Sequence, residues 1–321
     1  MGHSVLSMIS VFAILAGCGE KLPHGSKAQT VFDNPDIRLL TTSERDSNST
    51  AGAVGNLLVV LQDPSNPEQK FTIPFCTGFQ ISPRHVMTAA HCQRDNMVFD
   101  KNQLSEAEDI DKLNFMAFED LLRLSFDGEK IAAAAKATDN AIMAKVVFKD
   151  EALDVMVYES TSGTDAHFVD LSHIGDSTSD QNGQLELYGF PNGVPLSVAG
   201  NCTGKRLNGL SGDRFFHNCD AMKGSSGGLI INAAGLPIAL HVAGPTENSG
   251  FYYDKYKRFE SNAEIASYSG CENLGTDAEK SACIAEFGHN KSIQLSDVVA
   301  AIKQNSPELW KQIGGSGCEK D

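Results

Sequence analysis

Val86-Met87-Thr88-Ala89-Ala90-His91-Cys92 passes from a strand-type run into small residues and then a histidine beside a cysteine. Val86 to Thr88 reads as a strand. Two later segments carry side chains that complete a chemistry begun by His91. They are Leu153-Asp154-Val155-Met156-Val157 and Cys219-Asp220-Ala221-Met222-Lys223-Gly224-Ser225-Ser226-Gly227-Gly228. A serine hydroxyl is a poor nucleophile near neutral pH. It needs an imidazole to take its proton, and the imidazole needs a carboxylate to fix its tautomer. Small residues around the serine leave room for a substrate and let backbone N–H groups converge on an oxyanion. The three segments supply these parts in the order His, Asp, Ser.

Outward from these segments the pattern is one of short strands. Leu57 to Leu61 is a buried-strand run, followed by the turn-rich Asp63-Pro64-Ser65-Asn66-Pro67. Phe71 to Ile81, Val146 to Phe148 and Val155 to Tyr158 read as further strands. Gln184 to Phe190 alternates apolar and polar before Pro191-Asn192-Gly193. Leu229 to Ile231 and Ile238 to Val242 flank Asn232-Ala233-Ala234-Gly235, which reads as a hairpin. Ser296 is placed to cap a short C-terminal helix over Asp297 to Lys303. Residues 102–124 differ: Leu113, Met116, Ala117, Leu121 and Leu124 share one helical face, and Ser105 with Glu108 fits a capping box, so this stretch reads as a helical insertion. Many strands, frequent turns and one late helix point to an all-β barrel or sandwich.

The chain has 321 residues, of which 41% are hydrophobic and 21% charged, which excludes a mostly disordered polymer. Its formal net charge of −15 is the wrong sign for a nucleic-acid binder. Val5 to Ala16 is mostly apolar, too short to span a bilayer, and fits a signal segment. It ends in Leu15-Ala16-Gly17-Cys18, which looks like a bacterial lipobox with Cys18 as the lipidated residue; the alternative is a buried N-terminal helix. Residues 1–18 are therefore expected to be a lipoprotein-type signal peptide, and the polar stretch 19–50 a tether or propeptide. This implies an exported bacterial protein, either a periplasmic or outer-membrane lipoprotein or a secreted one. A membrane contact is expected only through that N-terminal anchor.

Seven of the eight cysteines remain after Cys18. Export permits disulfides, and three pairs at short separation suggest themselves: Cys76–Cys92, Cys202–Cys219 and Cys271–Cys283. Spacing does not fix that connectivity, and Cys318 is left over. A metal site is disfavoured: no CxxC pair exists, and His217-Asn218-Cys219 lacks a second pair at zinc spacing. No cofactor is implied.

From these residues the chain resembles the chymotrypsin-like (trypsin-like) serine endopeptidases. Thr88-Ala89-Ala90-His91-Cys92 matches the family's histidine motif, and Cys76–Cys92 its bracketing disulfide. Gly224-Ser225-Ser226-Gly227-Gly228 matches its nucleophile motif. The resemblance implies two six-stranded β-barrels, here 51–160 with the insertion and 161–304 with the helix, followed by a tail over 305–321. It implies His91 as general base and then acid, Asp154 as its orienter and Ser226 as the acylated nucleophile. The N–H groups of Gly224 and Ser226 would form the oxyanion hole, and the substrate would be a protein or peptide. His85, His167, His173, His217 and His289 have no comparable context and read as ordinary surface or core residues.

Departures from the family pattern carry information. Ser225 stands where trypsin-like chains place the Asp that receives a new N-terminal amine, so that ion pair is not available. Cys219 lies seven residues before the nucleophile. These features, with Tyr188-Gly189-Phe190-Pro191 and Ile238-Ala239-Leu240-His241, look more like the bacterial glutamyl endopeptidase branch. Asp220, six before Ser226, matches the trypsin residue that pairs with a substrate Arg or Lys. His241, fifteen after Ser226, matches the glutamyl endopeptidase histidine that meets a substrate Glu. The two select opposite charges, and the choice stays open at this stage. Two other function classes compete: a catalytically inactive protease-fold lipoprotein that binds peptides or a protein partner, and an α/β-hydrolase using Gly224-x-Ser226-x-Gly228 as an elbow with His289 as base. The second leaves the His91 motif unexplained.

Overall fold

The computed structural model describes residues 37–63, 66–100, 141–160, 167–175, 184–191, 195–209, 212–222, 224–244 and 271–314. The signal segment, Cys18, the 102–124 insertion and Cys318 lie outside the described residues. Described residues begin with β1 (Ile37–Leu39), α1 (Thr42–Ser47) and α2 (Ser49–Ala53). Thr41 and Glu44 cap α1 reciprocally: the Glu44 N–H donates to Thr41 Oγ1, and the Thr41 N–H to Glu44 Oε2. The stretch expected to be a tether or propeptide is thus built into secondary structure from Ile37 onward. Its polar composition hides Leu39 and Leu40, both buried.

Six antiparallel strands close a barrel in the order β2-β3-β4-β7-β6-β5. They are β2 (Val54–Asp63), β3 (Asn66–Ser82), β4 (His85–Ala89), β5 (Met97–Asp100), β6 (Ala141–Asp150) and β7 (Val155–Ser160). Closure leaves no edge strand exposed. Leu57, Phe99 and Met156 are buried on one face of its wall, and Phe79 and Met87 on the other.

The second sheet holds β1 and seven further strands: β8 (Leu185–Gly189), β9 (Ser197–Cys202), β10 (Gly204–Gly209), β11 (Gly212–His217), β12 (Leu229–Ile231), β13 (Pro237–Ala243) and β14 (Asn290–Gln294). Their order is β1-β9-β8-β12-β13-β14-β11-β10. The resemblance implied six strands here; among the described residues there are eight, one of them β1, which pairs with β9 through Arg38 opposite Val198. Successive strand residues face opposite sides, and the sheet uses both. Leu229, Leu240 and Ile293 join the hydrophobic cluster that runs back into the first barrel. Their neighbours Ile230 and Ala239 join Leu185, Leu187 and Phe215 in a second cluster. The architecture is the expected all-β pair of β-units.

Three helices follow: α3 (Asp277–Gly288), α4 (Leu295–Asn305) and α5 (Pro307–Ile313). The expected Ser296 cap is displaced. Strand β14 runs directly into α4, so Gln294 is the N-cap, without a side-chain bond, and Ser296 sits inside the first turn. Val298, Val299 and Ile302 form its buried face. Residues 307–313, expected as tail, form α5, which buries Leu309 and Ile313 in the larger core. The three disulfides are Cys76–Cys92, Cys202–Cys219 and Cys271–Cys283.

Candidate active site

His91 lies in a single 3-10 turn, Ala90–Cys92, at the end of β4, and Asp154 closes the turn between β6 and β7. That turn is shaped by Asp150, whose Oδ1 accepts the N–H groups of Ala152 and Leu153. Asp154 adopts a left-handed backbone, φ 55°, a region that Asp tolerates better than most residues. It meets the histidine turn at three points. Its carbonyl accepts the Ala90 N–H at 3.0 Å, Oδ1 accepts the His91 N–H at 2.9 Å, and Oδ2 lies 2.8 Å from His91 Nδ1. An ionised carboxylate only accepts, so Nδ1 carries the proton and Nε2 is left as a base. The histidine side chain is 46% exposed and the aspartate 22%, so solvent reaches the pair.

The nucleophile loop is ordered plane by plane. The Ser225 N–H donates to Met222 O at 2.9 Å, and the Met222 N–H donates to Ser225 Oγ at 3.2 Å. Ser225 is thereby buried as a turn-former, in the position where the family places an aspartate. Ser225 O accepts the Gly228 N–H at 2.8 Å. In a trans peptide the N–H points opposite to the carbonyl, so the Ser226 N–H is turned away from the loop interior. Among the described residues, no protein acceptor takes the N–H of Gly224 or Ser226. The Ser226 hydroxyl lies 3.4 Å from Val242 O, a long bond for a hydroxyl donor. Gly227 has φ 87°, and a Cβ there would run into Thr77 O and Thr88 Oγ1.

The loop is tied to the first barrel beside the histidine. The Thr77 N–H donates to Ser226 O at 2.8 Å, and the neighbouring Cys76 is disulfide-bonded to Cys92, next to His91. The Ser226 backbone is in this way tied to Thr77 and lies beside Cys92, the residue next to His91.

The two candidate specificity residues part company. Asp220 is buried and lines a small cavity walled by Ile37, Leu187, Ser197, Ala199 and Ser225. His241, on β13, is bonded to both residues that follow Ser226: Gly227 N–H to His241 O at 2.7 Å, and His241 N–H to Gly228 O at 2.8 Å. Burial lowers the His241 pKa to about 3, so its imidazole is neutral.

Behind it stands a residue that the sequence reading passed over. His217 is buried with its Nε2 3.1 Å from His241 Nδ1, and burial holds its pKa well below the usual imidazole value. Among the described residues, His217 Nδ1 has no hydrogen-bond partner. A buried orphan donor costs more than a bare acceptor lone pair. The proton therefore sits on His217 Nε2 and is given to His241 Nδ1, which leaves His241 with an Nε2–H donor. No local motif marks His217; only the register of β11 against β14, with His217 opposite Asn290, brings it in. His85 is a buried residue with its Nδ1 2.7 Å from the Ser82 hydroxyl, and His173 pairs with Asp170 on the surface.

A family model described as a trypsin-like peptidase domain matches residues 76–240, a span containing His91, Asp154 and Ser226. No curated protein matches the chain in sequence. Similar solved structures include the inactive form of the Rv3671c protease, at 14% identity over 82% of this chain and 92% of that one, TM-score 0.44. The active form of the same M. tuberculosis protease gives 15% identity over 90% and 95%, TM-score 0.43. The HtrA-type protease AlgW with a decapeptide gives 15% over 81% and 67%, TM-score 0.47.

Proposed function

The chain belongs to the trypsin-like peptidase family, and from that premise we propose that it is an exported serine endopeptidase that hydrolyses peptide bonds through an acyl-enzyme on Ser226. The observation that carries this reading is the pair of hydrogen bonds that Asp154 accepts from His91, at its backbone N–H and its Nδ1, an arrangement in which Nε2 is the nitrogen free to act as base. The Ser226 hydroxyl turns from Val242 O to His91 Nε2, gives up its proton and attacks the substrate carbonyl. The N–H groups of Gly224 and Ser226 receive the oxyanion. His91 then protonates the leaving amine, and water repeats the sequence to release the acyl group. The Cys18 lipid anchor belongs to the same proposal.

The substrate side chain is proposed to be acidic, as in the glutamyl endopeptidase branch. His241 flanks the nucleophile and presents an Nε2–H, while Asp220 faces a cavity on the β1–β9 side. An acidic substrate group entering beside His241 meets a hydrogen-bond donor; a basic one meets none.

A fluorophosphonate probe tests the reaction: it should label Ser226 in the native chain, fail on Ser226→Ala, and label His91→Ala at least ~10³-fold more slowly. Labelling undiminished in Ser226→Ala would overturn the assignment. Binding of peptides without hydrolysis of any member of a substrate library would favour the non-catalytic reading instead.

A further inference from the structure

One buried residue outside the triad bonds the Ser226 loop, the end of β8 and β4. Thr77, on β3, is fully buried, and its polar groups leave the strand ladder for the nucleophile loop. Its N–H donates to Ser226 O at 2.8 Å. Its hydroxyl donates to Gly224 O at 2.7 Å and accepts the Phe190 N–H at 2.9 Å. Its carbonyl accepts the Thr88 hydroxyl at 2.7 Å, three residues before His91.

These bonds act on alternate peptide planes. The plane between Gly224 and Ser225 is held by Thr77 Oγ1, and the plane between Ser226 and Gly227 by the Thr77 N–H. The plane between them is held within the loop by the Gly228 N–H. The backbone bond can be made by any non-proline residue at 77. The hydroxyl bond requires Thr or Ser, and it restrains Gly224, whose φ of 92° marks a residue with wide conformational freedom.

We propose that Thr77 is a positioning residue: its hydroxyl, shared between Gly224 O and the Phe190 N–H, sets the orientation of Gly224 and so the alignment of the oxyanion donors. This rests on the peptidase reading above. A misaligned donor weakens stabilisation of the tetrahedral intermediate more than it weakens substrate binding. The loss should therefore appear in kcat and not in KM.

The test compares the native chain with Thr77→Val, which keeps the shape and loses the hydroxyl, and Thr77→Ser, which restores it. Three quantities are read: kcat and KM on a peptide substrate, the fluorophosphonate labelling rate, and amide exchange across residues 222–228. Thr77→Val is expected to lower kcat and labelling by about 10–100-fold with KM within ~3-fold, and to raise exchange in the loop. Thr77→Ser is expected to return all three to within ~3-fold of native. A folded Thr77→Val with native kcat and native exchange overturns the proposal, as does a folded Thr77→Ser that rescues nothing. Should Thr77→Val fail to fold, Thr77→Ala against Thr77→Ser makes the same comparison. A native chain inert to the probe would refute the peptidase reading; exchange then decides the clasp separately, upheld if the hydroxyl-less variant loosens 222–228 and refuted if it does not.

Discussion

Asp154 holds His91 at both ends of its carboxylate: Oδ2 takes the ring Nδ1–H at 2.8 Å while Oδ1 takes the backbone N–H at 2.9 Å. Asp154→Asn keeps the size and one oxygen. That oxygen must face the backbone N–H, which has no second acceptor on this side chain. The amide NH₂ then faces Nδ1 and forces the ring to accept there, so the proton moves to Nε2 and the base is lost. The expected result is a fall in kcat of about 10⁴-fold with the fold retained. Steady-state kinetics beside thermal unfolding checks it, and a folded variant with native kcat would remove Asp154 from the mechanism.

Gly227 and Gly235 have similar backbones, φ 87° and 77°, in different surroundings. A Cβ on Gly227 collides with Thr77 O and Thr88 Oγ1, whereas one on Gly235 meets nothing within 4 Å. Alanine at 235 should cost only the left-handed backbone, about 1–2 kcal/mol. Alanine at 227 adds overpacking against a fixed strand, for a total of about 3 kcal/mol or more, and moves the nucleophile loop off β3. Urea unfolding and probe labelling of both variants make the comparison; equal losses would mean that the loop is not packed as described.

What was legible in the sequence were features that a few adjacent residues must encode. The His91 turn, the glycine pattern around Ser226 and the β12–β13 hairpin each need their own local residues. Asp154 was legible only through its place between the other two. Thr77 and His217 were not, because each acquires its role from a partner on another strand: Gly224 across the two β-units and His241 across the sheet. The same reason hid β1. Two buried leucines at the end of a three-residue edge strand make no periodic signal, and the polar residues around them dominate the composition. The Ser296 cap failed for a local reason, since a serine one residue inside a helix start reads like a cap unless the preceding strand is known to continue to Gln294.

The disulfides should differ in consequence. Cys76–Cys92 closes a 16-residue separation and links the residue beside Thr77 to the residue beside His91. Its removal, as Cys76→Ser with Cys92→Ser, should cost about 3 kcal/mol from loop entropy and also depress kcat. Cys271–Cys283 closes 12 residues between a 3-10 turn and α3, a helix that packs against β10 and β14. Its removal should lower stability by a similar amount with kcat kept within a few-fold. Equal loss of kcat in the two double variants would count against a role for the first bridge in aligning the site.

The buried histidines set a pH dependence of stability. His217 and His241 are neutral in the fold, with pKa values depressed by burial, whereas in the unfolded chain they titrate near 6.5. A depressed folded pKa means that the unfolded state binds the extra proton. The stability is therefore fully present above about pH 6.5 and is lost as pH falls from there toward the folded pKa, about 3 for His241. Each such group contributes a slope of about 1.4 kcal/mol per pH unit once the unfolded imidazole is protonated. Denaturant unfolding at intervals from pH 7 to 5 should show stability declining, and His217→Gln should flatten the decline by one proton's worth. Identical slopes in the two chains would show that His217 is protonated in the fold.

The proposed preference for an acidic substrate rests on the same pair. His217 donates to His241 Nδ1, so His241 offers Nε2–H beside the nucleophile while carrying no charge of its own. A substrate carboxylate arriving there gains a donor and raises the proton affinity of the ring, so binding and charging assist each other. His241→Val removes the donor and leaves that carboxylate buried without a partner. The expected loss in kcat/KM for a substrate with Glu at the cleaved bond is about 10²–10³-fold, against little change for a substrate with Leu there. Asp220, turned to the β1–β9 cavity, should contribute little to this choice, and Asp220→Asn should leave the Glu-to-Leu ratio within ~5-fold of native. Profiling with a peptide library decides between the two residues. Cleavage after Lys or Arg that disappears in Asp220→Asn would assign selection to Asp220 and overturn the acidic reading.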